Sequence, residues 1–176
     1  MKNDLKIHYY GSPVLREKLA EIQELPEQFQ DLVDDMFELM SNEEGIGLSA
    51  NQVGRDLRFF IADFSLYNDE MKKRVFINPE ILEAEGEIKE EEGCLSLPDI
   101  QVAVKRADKI KIRYRDANFT EHVEEYSGYL SRVIQHETDH VNGKFMTDRI
   151  SPLKRKLLDN KLKQIAKMAK KELNQG

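Results

Sequence analysis

The hydrophobic and polar positions of the chain change period several times, and each change predicts an element. From Pro26 onward, Phe29, Leu32, Val33, Met36, Phe37 and Met40 recur at helical spacing. This predicts a helix opened by Pro26 and ending near Ser41 and Asn42, before Gly45. Residues 57–63 (LRFFIAD) form an apolar run that predicts a buried strand. A second strand is expected at 75–77, broken at Asn78 and Pro79, with extended chain resuming over 81–88. Ile110, Ile112 and Tyr114 alternate with Lys111, Arg113 and Arg115, the period of a half-buried strand. Asp116, Ala117 and Asn118 supply a turn, and residues 119–126 return as the hairpin partner.

From Ser127 the period becomes helical again through Leu130, Val133, Ile134, Glu137 and Val141, until Asn142 and Gly143 stop it. Ser12 and Pro13 start a short turn near the N-terminus. Ser151 and Pro152 start a last helix, whose apolar stripe is Leu158, Leu162, Ile165, Ala169 and Leu173, with lysines on the other face. The sum is an α+β fold: mostly antiparallel sheet wrapped around a central helix, with a C-terminal helix.

A chain of 176 residues is long enough for one domain with a real core. Lys plus Arg number 27 and Asp plus Glu 33, a net charge of −6, which argues against a general nucleic-acid binder. The imbalance is local. Residues 151–176 hold eight basic side chains and two acidic ones, a net of +6, so residues 1–150 carry −12. The expected organisation is a catalytic domain over 1–150 and a basic helix over 151–176 that extends it. No apolar run approaches the roughly 20 residues of a membrane helix. The N-terminal segment lacks the apolar core of a secretory signal, so the expected location is the cytoplasm. The one cysteine, Cys94, excludes an intramolecular disulfide.

The strongest chemical signal is His136-Glu137-Thr138-Asp139-His140. Residues four apart lie on one helix face, so both imidazoles can meet one metal ion, with Glu137 between them. The bland alternative is a pair of surface histidines. Leu130, Val133 and Ile134 instead put this helix in the core, and Tyr129, Val133, His136 and His140 form one stripe. A core-facing glutamate is costly unless paired or beside a metal.

Two histidines leave such an ion short of a protein ligand. The metallopeptidase continuation H-x-x-G-x-x-H fails, because Met146 occupies the third ligand position. Downstream, only Glu172 in the basic tail remains, so the third ligand is expected upstream, from His8, His122 or Cys94. His122 reads as an exposed strand residue and His8 as surface. Cys94 follows Glu91, Glu92 and Gly93 and precedes Pro98, at a turn where a thiolate can face a cleft. A thiolate with two imidazoles suits a divalent transition metal. Gly45, Gly47 and Ala50 superficially fit a dinucleotide fingerprint, but a helix precedes them and Gly54 breaks any helix after them. The two glycines suit close backbone approach to a ligand instead.

Together GIGLSANQVG, EEGCLSLP and QHETDH, in this order, resemble the three signature segments of the peptide deformylases. The resemblance implies that Cys94, His136 and His140 hold the metal and that Glu137 is the catalytic carboxylate. It also implies that Gln52 and the backbone amide of Leu95 face the developing oxyanion. The implied reaction removes formyl from the N-terminal formylmethionine of new polypeptides. The implied ion is Fe2+, with Zn2+, Ni2+ or Co2+ as substitutes. Ile46, Gly47 and Gly93 are expected to bind the peptide as an added strand, and Tyr129 and Val133 to line the methionine pocket.

The family's GLAA reads Gly47-Leu48-Ser49-Ala50 here, a small-for-small change. Gln101 stands where many relatives have arginine, which affects contacts to substrate rather than catalysis. In bacterial relatives a basic tail helix docks on ribosomal RNA, and the +6 segment fits that role. The competing functions are an H-E-x-x-H metallopeptidase and a non-catalytic, metal-binding module associated with the ribosome.

Overall fold

The computed structural model describes residues 5–67 and 72–173. Seven strands and three α-helices are present among them: β1 (Gly47–Ser49), β2 (Phe59–Asp63), β3 (Lys73–Glu85), β4 (Ile88–Glu92), β5 (Val102–Arg106), β6 (Lys109–Arg115) and β7 (Glu121–Ser127), with α1 (Phe29–Asn42), α2 (Gly128–Val141) and α3 (Pro152–Leu173). Five strands form one sheet in the order β1-β2-β3-β6-β7, and β4 pairs with β5 in a second. Every pairing is antiparallel. This is the expected α+β architecture, with α2 packed against strands of the large sheet.

Several boundaries move from their expected places. Helix α1 begins at Phe29, three residues after Pro26, because Gln28 takes a left-handed conformation (φ 62°) and cannot propagate a helix. β2 begins at Phe59, two residues later than expected. Asn78 and Pro79 do not end the strand that contains them. β3 runs on to Glu85, and the register shifts between Ile77 and Glu80 while Asn78 sits at φ 51°. A bulge thus accommodates the proline that breaks strands elsewhere. Extended chain does not continue from 81 to 88. Gly86 turns it (φ 69°), and Ile88 belongs to the other sheet. The short β1 and the hairpin of β4 and β5 carry little periodic signal, because β1 has three residues and β4 is mostly glutamate.

Phe59, Phe60, Ile61 and Ala62 of β2 are all buried, since α1 and α2 both pack against this strand. Phe59 meets Phe29 of α1 edge-on, and Phe60 stacks on Phe76 of β3. A second apolar cluster joins Leu15, Leu97, Ile100, Val104, Phe145 and Met146 to Leu162 and Ile165 of α3. Leu158, Leu162, Ile165 and Ala169 therefore form the inward stripe expected of α3; the side chain of Leu173 lies outside the described residues. Cys94 packs at the edge of this second cluster. No helix among the described residues is long and apolar enough to cross a membrane.

Candidate metal centre

Three separate segments build the site. Helix α2 supplies His136, Glu137 and His140. The turn after β4 supplies Cys94, with the Leu97 amide bonded to the Cys94 carbonyl at 2.9 Å. A 3-10 turn at Ala50–Val53, directly after β1, supplies Gln52. Asn51 ties that turn to α2, donating from Nδ2 to the His140 carbonyl at 2.7 Å.

The donor atoms converge. His136 Nε2 and His140 Nε2 are 3.1 Å apart, and His140 Nε2 is 3.3 Å from Cys94 Sγ. All three lie within 4.8 Å of one another. Tetrahedral bonds of about 2.1 Å to nitrogen and 2.3 Å to sulfur would space such atoms about 3.4–3.6 Å apart. His136 Nδ1 donates to Glu92 Oε2 at 3.0 Å, which leaves the Nε2 lone pair facing the cluster. A single cation can take a lone pair from each of these three atoms at once. His140 Nδ1 and Glu137 Oε2 are also buried without a hydrogen-bond partner among the described residues. The donor set therefore fits one divalent metal ion. His8 and His122 are elsewhere: His8 bonds Ser12 at 3.1 Å, and His122 is half-buried, stacked on Tyr114 and bonded to Asp116 at 2.8 Å.

The surrounding charges suit that ion. Burial works against a charged His136 ring, but hydrogen bonds with Cys94 and Glu92 raise its pKa to about 10. The surroundings of His136 thus favour positive charge. Burial pushes His140 well below its ordinary value, with His136 adding to the effect. Burial pushes the Glu137 carboxyl up to about 7. Burial would also raise Glu92, but bonds from His136 and Arg106 hold it below the usual carboxylate range.

Arg106 and Arg132 clamp Glu92 from two sides, at 2.5 Å each to Oε1. Arg106 also reaches Asp139 at 2.9 Å, and Arg149 bonds the other oxygen of Asp139 at 2.5 Å. Sequence reasoning did not single out Glu92, Arg106, Arg132 or Asp139. For Arg106 a signal existed: it shares a strand face with Val102 and Val104. For Glu92 there was none, because three like glutamates stand in a row.

A cavity of about 540 Å³ opens onto the cluster. Ile46, Gly47, Gln52, Gly93, Cys94, Leu95, Tyr129, Val133, His136 and Glu137 line it, while His140 sits behind them. Gln101 is exposed at the same cavity. Strand β1 is the edge of its sheet. Gly47 passes so close to α2 that a Cβ there would lie 2.5 Å from Glu137 Oε1.

The model of the polypeptide deformylase family matches residues 4–156. A peptide deformylase of Salinibacter ruber is 43% identical over 171 residues, covering 92% of this chain and 88% of the relative. One from Thermotoga maritima is 42% identical over 167 residues, covering 94% and 99%. Among solved structures, the peptide deformylase of Thermus thermophilus superposes with a TM-score of 0.85 at 35% identity, covering 93% of this chain and 98% of that one. The enzyme of Legionella pneumophila gives 0.84 at 36%, covering 93% and 96%. With the family model matching most of its length and these relatives matching nearly all of it, the chain belongs to the polypeptide deformylase family.

Proposed function

We propose that the chain removes the formyl group from N-terminal formylmethionine by the concerted action of Glu137, Gln52 and the Leu95 amide beside a divalent ion held by Cys94, His136 and His140. The family's activity is removal of the N-formyl group from nascent peptides. The observation that carries the residue assignment is the buried Glu137 carboxylate, with one oxygen unpartnered, on the wall of the cavity that reaches the cluster. When bound, the ion supplies Lewis acidity toward water and the formyl oxygen. Glu137 takes the proton of the attacking water and later delivers it to the departing amine. A carboxyl pushed up to about 7 is poised for both steps near neutral pH.

Gln52 donates from Nε2 to the oxygen that gains charge. Its Oε1 is held by the Ser49 amide at 3.0 Å, so the NH2 end is the one turned toward Ser96 and Cys94. The free edge of β1, with Ile46 and Gly47, together with Gly93 accepts the peptide as an added strand. Tyr129 and Val133 receive the methionine side chain.

A thiolate with two imidazoles favours iron, zinc, nickel or cobalt, and we assign Fe2+ as the working ion. The test is oxygen exposure: activity decays with iron and persists with nickel, and equal decay with both would count against the assignment. We place the enzyme in the cytoplasm, where formylated nascent chains arise. Helix α3 is assigned to the same domain, on the packing of Leu162 and Ile165 against Leu97 and Ile100. Its outward lysines are assigned to ribosomal RNA. Deleting residues 153–176, or raising salt, should weaken ribosome binding; unchanged binding in either case refutes the RNA contact.

The decisive assay measures formate release from formyl-Met-Ala-Ser by wild type and Glu137→Ala, each with its metal content. Formate from wild type alone, with about one ion per chain in both, supports the reading. Full turnover by Glu137→Ala removes Glu137 from the mechanism.

A further inference from the structure

The connection after β2 opens with Phe64-Ser65-Leu66-Tyr67, which sets two aromatic rings in a turn. The Ser65 amide donates to Asp63 Oδ1 at 3.0 Å, and the Tyr67 amide donates to the Phe64 carbonyl at 2.9 Å, so a closed turn carries Tyr67. Phe64 anchors that turn: its ring is fully buried, edge-on to Phe76 of β3 and tilted against Tyr126 of β7. Tyr67 lies beyond the anchor and stacks on Tyr129, with ring centroids 4.3 Å apart and planes at 28°. Burial raises the Tyr129 hydroxyl above its ordinary value, and a hydrogen bond with Tyr67 adds to the effect.

Tyr129 has little else to hold it. A helical side chain rests on the turn that precedes its own Cα, but Tyr129 is the second residue of α2, so no helical turn precedes it. The start of the helix is also open, since a Cβ at Gly128 would meet nothing within 4 Å. Tyr129 nevertheless lines the cavity that reaches the metal cluster, whereas Tyr67 does not. Any influence of Tyr67 on a bound side chain therefore passes through the Tyr129 ring.

We propose that Tyr67 is a positioning residue for the methionine pocket: by stacking on Tyr129 it holds that ring as a wall of the cavity, and so raises selectivity for a long apolar first side chain. The proposal rests on Tyr129 receiving the methionine side chain. Without the stack, the Tyr129 ring regains rotamer freedom, and a substrate that uses the wall must order it on binding. A stacked aromatic pair is worth about two- to tenfold in an equilibrium beyond the area it buries. The loss belongs in KM, because the metal ligands and Glu137 are not touched.

The experiment is a double-mutant cycle of Tyr67→Ala and Tyr129→Ala, with Tyr67→Phe beside it and metal content measured in each protein. Formate release is followed from formyl-Met-Ala-Ser and from formyl-Ala-Ala-Ser, whose first side chain is too short to use the wall. Tyr67→Ala should lower the ratio of kcat/KM for the methionyl over the alanyl peptide by about two- to tenfold. The change should appear in KM for the methionyl peptide, with kcat within about twofold and one ion per chain retained. Tyr67→Phe keeps the ring and should stay within about twofold of wild type. In the Tyr129→Ala background, Tyr67→Ala should have no further effect, because the ring it positions is gone.

An unchanged ratio in Tyr67→Ala overturns the proposal, as does an equal loss with both peptides, which a general structural role would give. The same loss in both backgrounds overturns it too, and so does a Tyr67→Phe protein as impaired as Tyr67→Ala. If Tyr129→Ala itself leaves the ratio unchanged, the assignment of Tyr129 to the methionine pocket fails and the proposal falls with it. A lowered ratio in Tyr129→Ala beside a wild-type ratio in Tyr67→Ala overturns the proposal alone.

Discussion

Replacing Gly47 with alanine should cripple the enzyme through one methyl group. The added Cβ would lie 2.5 Å from Glu137 Oε1, 2.7 Å from its Cγ and 2.8 Å from its Cδ, where ordinary contact begins at 3.4 Å. The shortfall is about 0.9 Å at the first atom. Neither side can yield easily. β1 is paired to β2 in register Gly47 to Ala62 and Leu48 to Ile61, and Leu48, Ile61 and Ala62 are fully buried. Glu137 is itself buried on α2, between His136 and His140 in the sequence.

If the strand gives way, the overpacking costs about 1–3 kcal/mol. That lowers Tm by about 2–12 °C for a chain of this size. If the carboxylate gives way, a displacement near 1 Å costs about 10²-fold in kcat, equivalent to about 2.7 kcal/mol of transition-state stabilisation. The assay is formate release with a parallel thermal melt and metal measurement. Gly93→Ala serves as the stability control, because its Cβ would meet nothing closer than 3.9 Å. A Gly47→Ala protein with wild-type kcat and wild-type Tm would refute the argument that glycine is there to admit Glu137.

Other outcomes follow from the same geometry. In the metal-stripped chain the raised pKa of Glu137 means that the folded state holds a proton which the unfolded state releases, so this group's contribution to stability falls as pH rises from about 4.5 to about 7. Urea titrations of metal-free wild type and Glu137→Gln should therefore differ in slope across that window, and equal slopes would contradict it. Arg106→Ala leaves Glu92 and Asp139 without their shared buried cation, and should cost about 3–5 kcal/mol in urea unfolding. A loss below about 1 kcal/mol would show that Arg132 and Arg149 suffice. Cys94→Ser exchanges the soft donor for a hydroxyl, and elemental analysis after dialysis against a chelator should find far less than one ion per chain. Full retention would remove the thiolate from the ligand set.

The periodicity of Leu130, Val133, Ile134 and Val141 determined that a helix carries the two histidines into the core, and the i, i+4 spacing determined that they share a face. The alternation of residues 110–115 determined the hairpin of β6 and β7. These are local consequences of 3.6-residue and two-residue repeats, and they need no tertiary partner to be legible. A place for Cys94 beside the two histidines could be argued from its turn, but only folding brings its Sγ to 3.3 Å from a nitrogen 46 residues away. The continuity of β3 through Asn78 and Pro79 was likewise decided by pairing with β6, which accommodates a bulge that local propensity reads as a break.

Tertiary structure alone separated Glu92 from Glu90 and Glu91. All three have the same chemistry, and burial between two arginines and His136 is what makes one of them part of the site. It alone showed why position 47 must be glycine, since the atom it makes room for arrives from a helix 90 residues further along the chain. Sequence determines which groups are available and which faces they share; the distances that make a metal site, an oriented amide and a buried base arise only when separate segments are packed against one another.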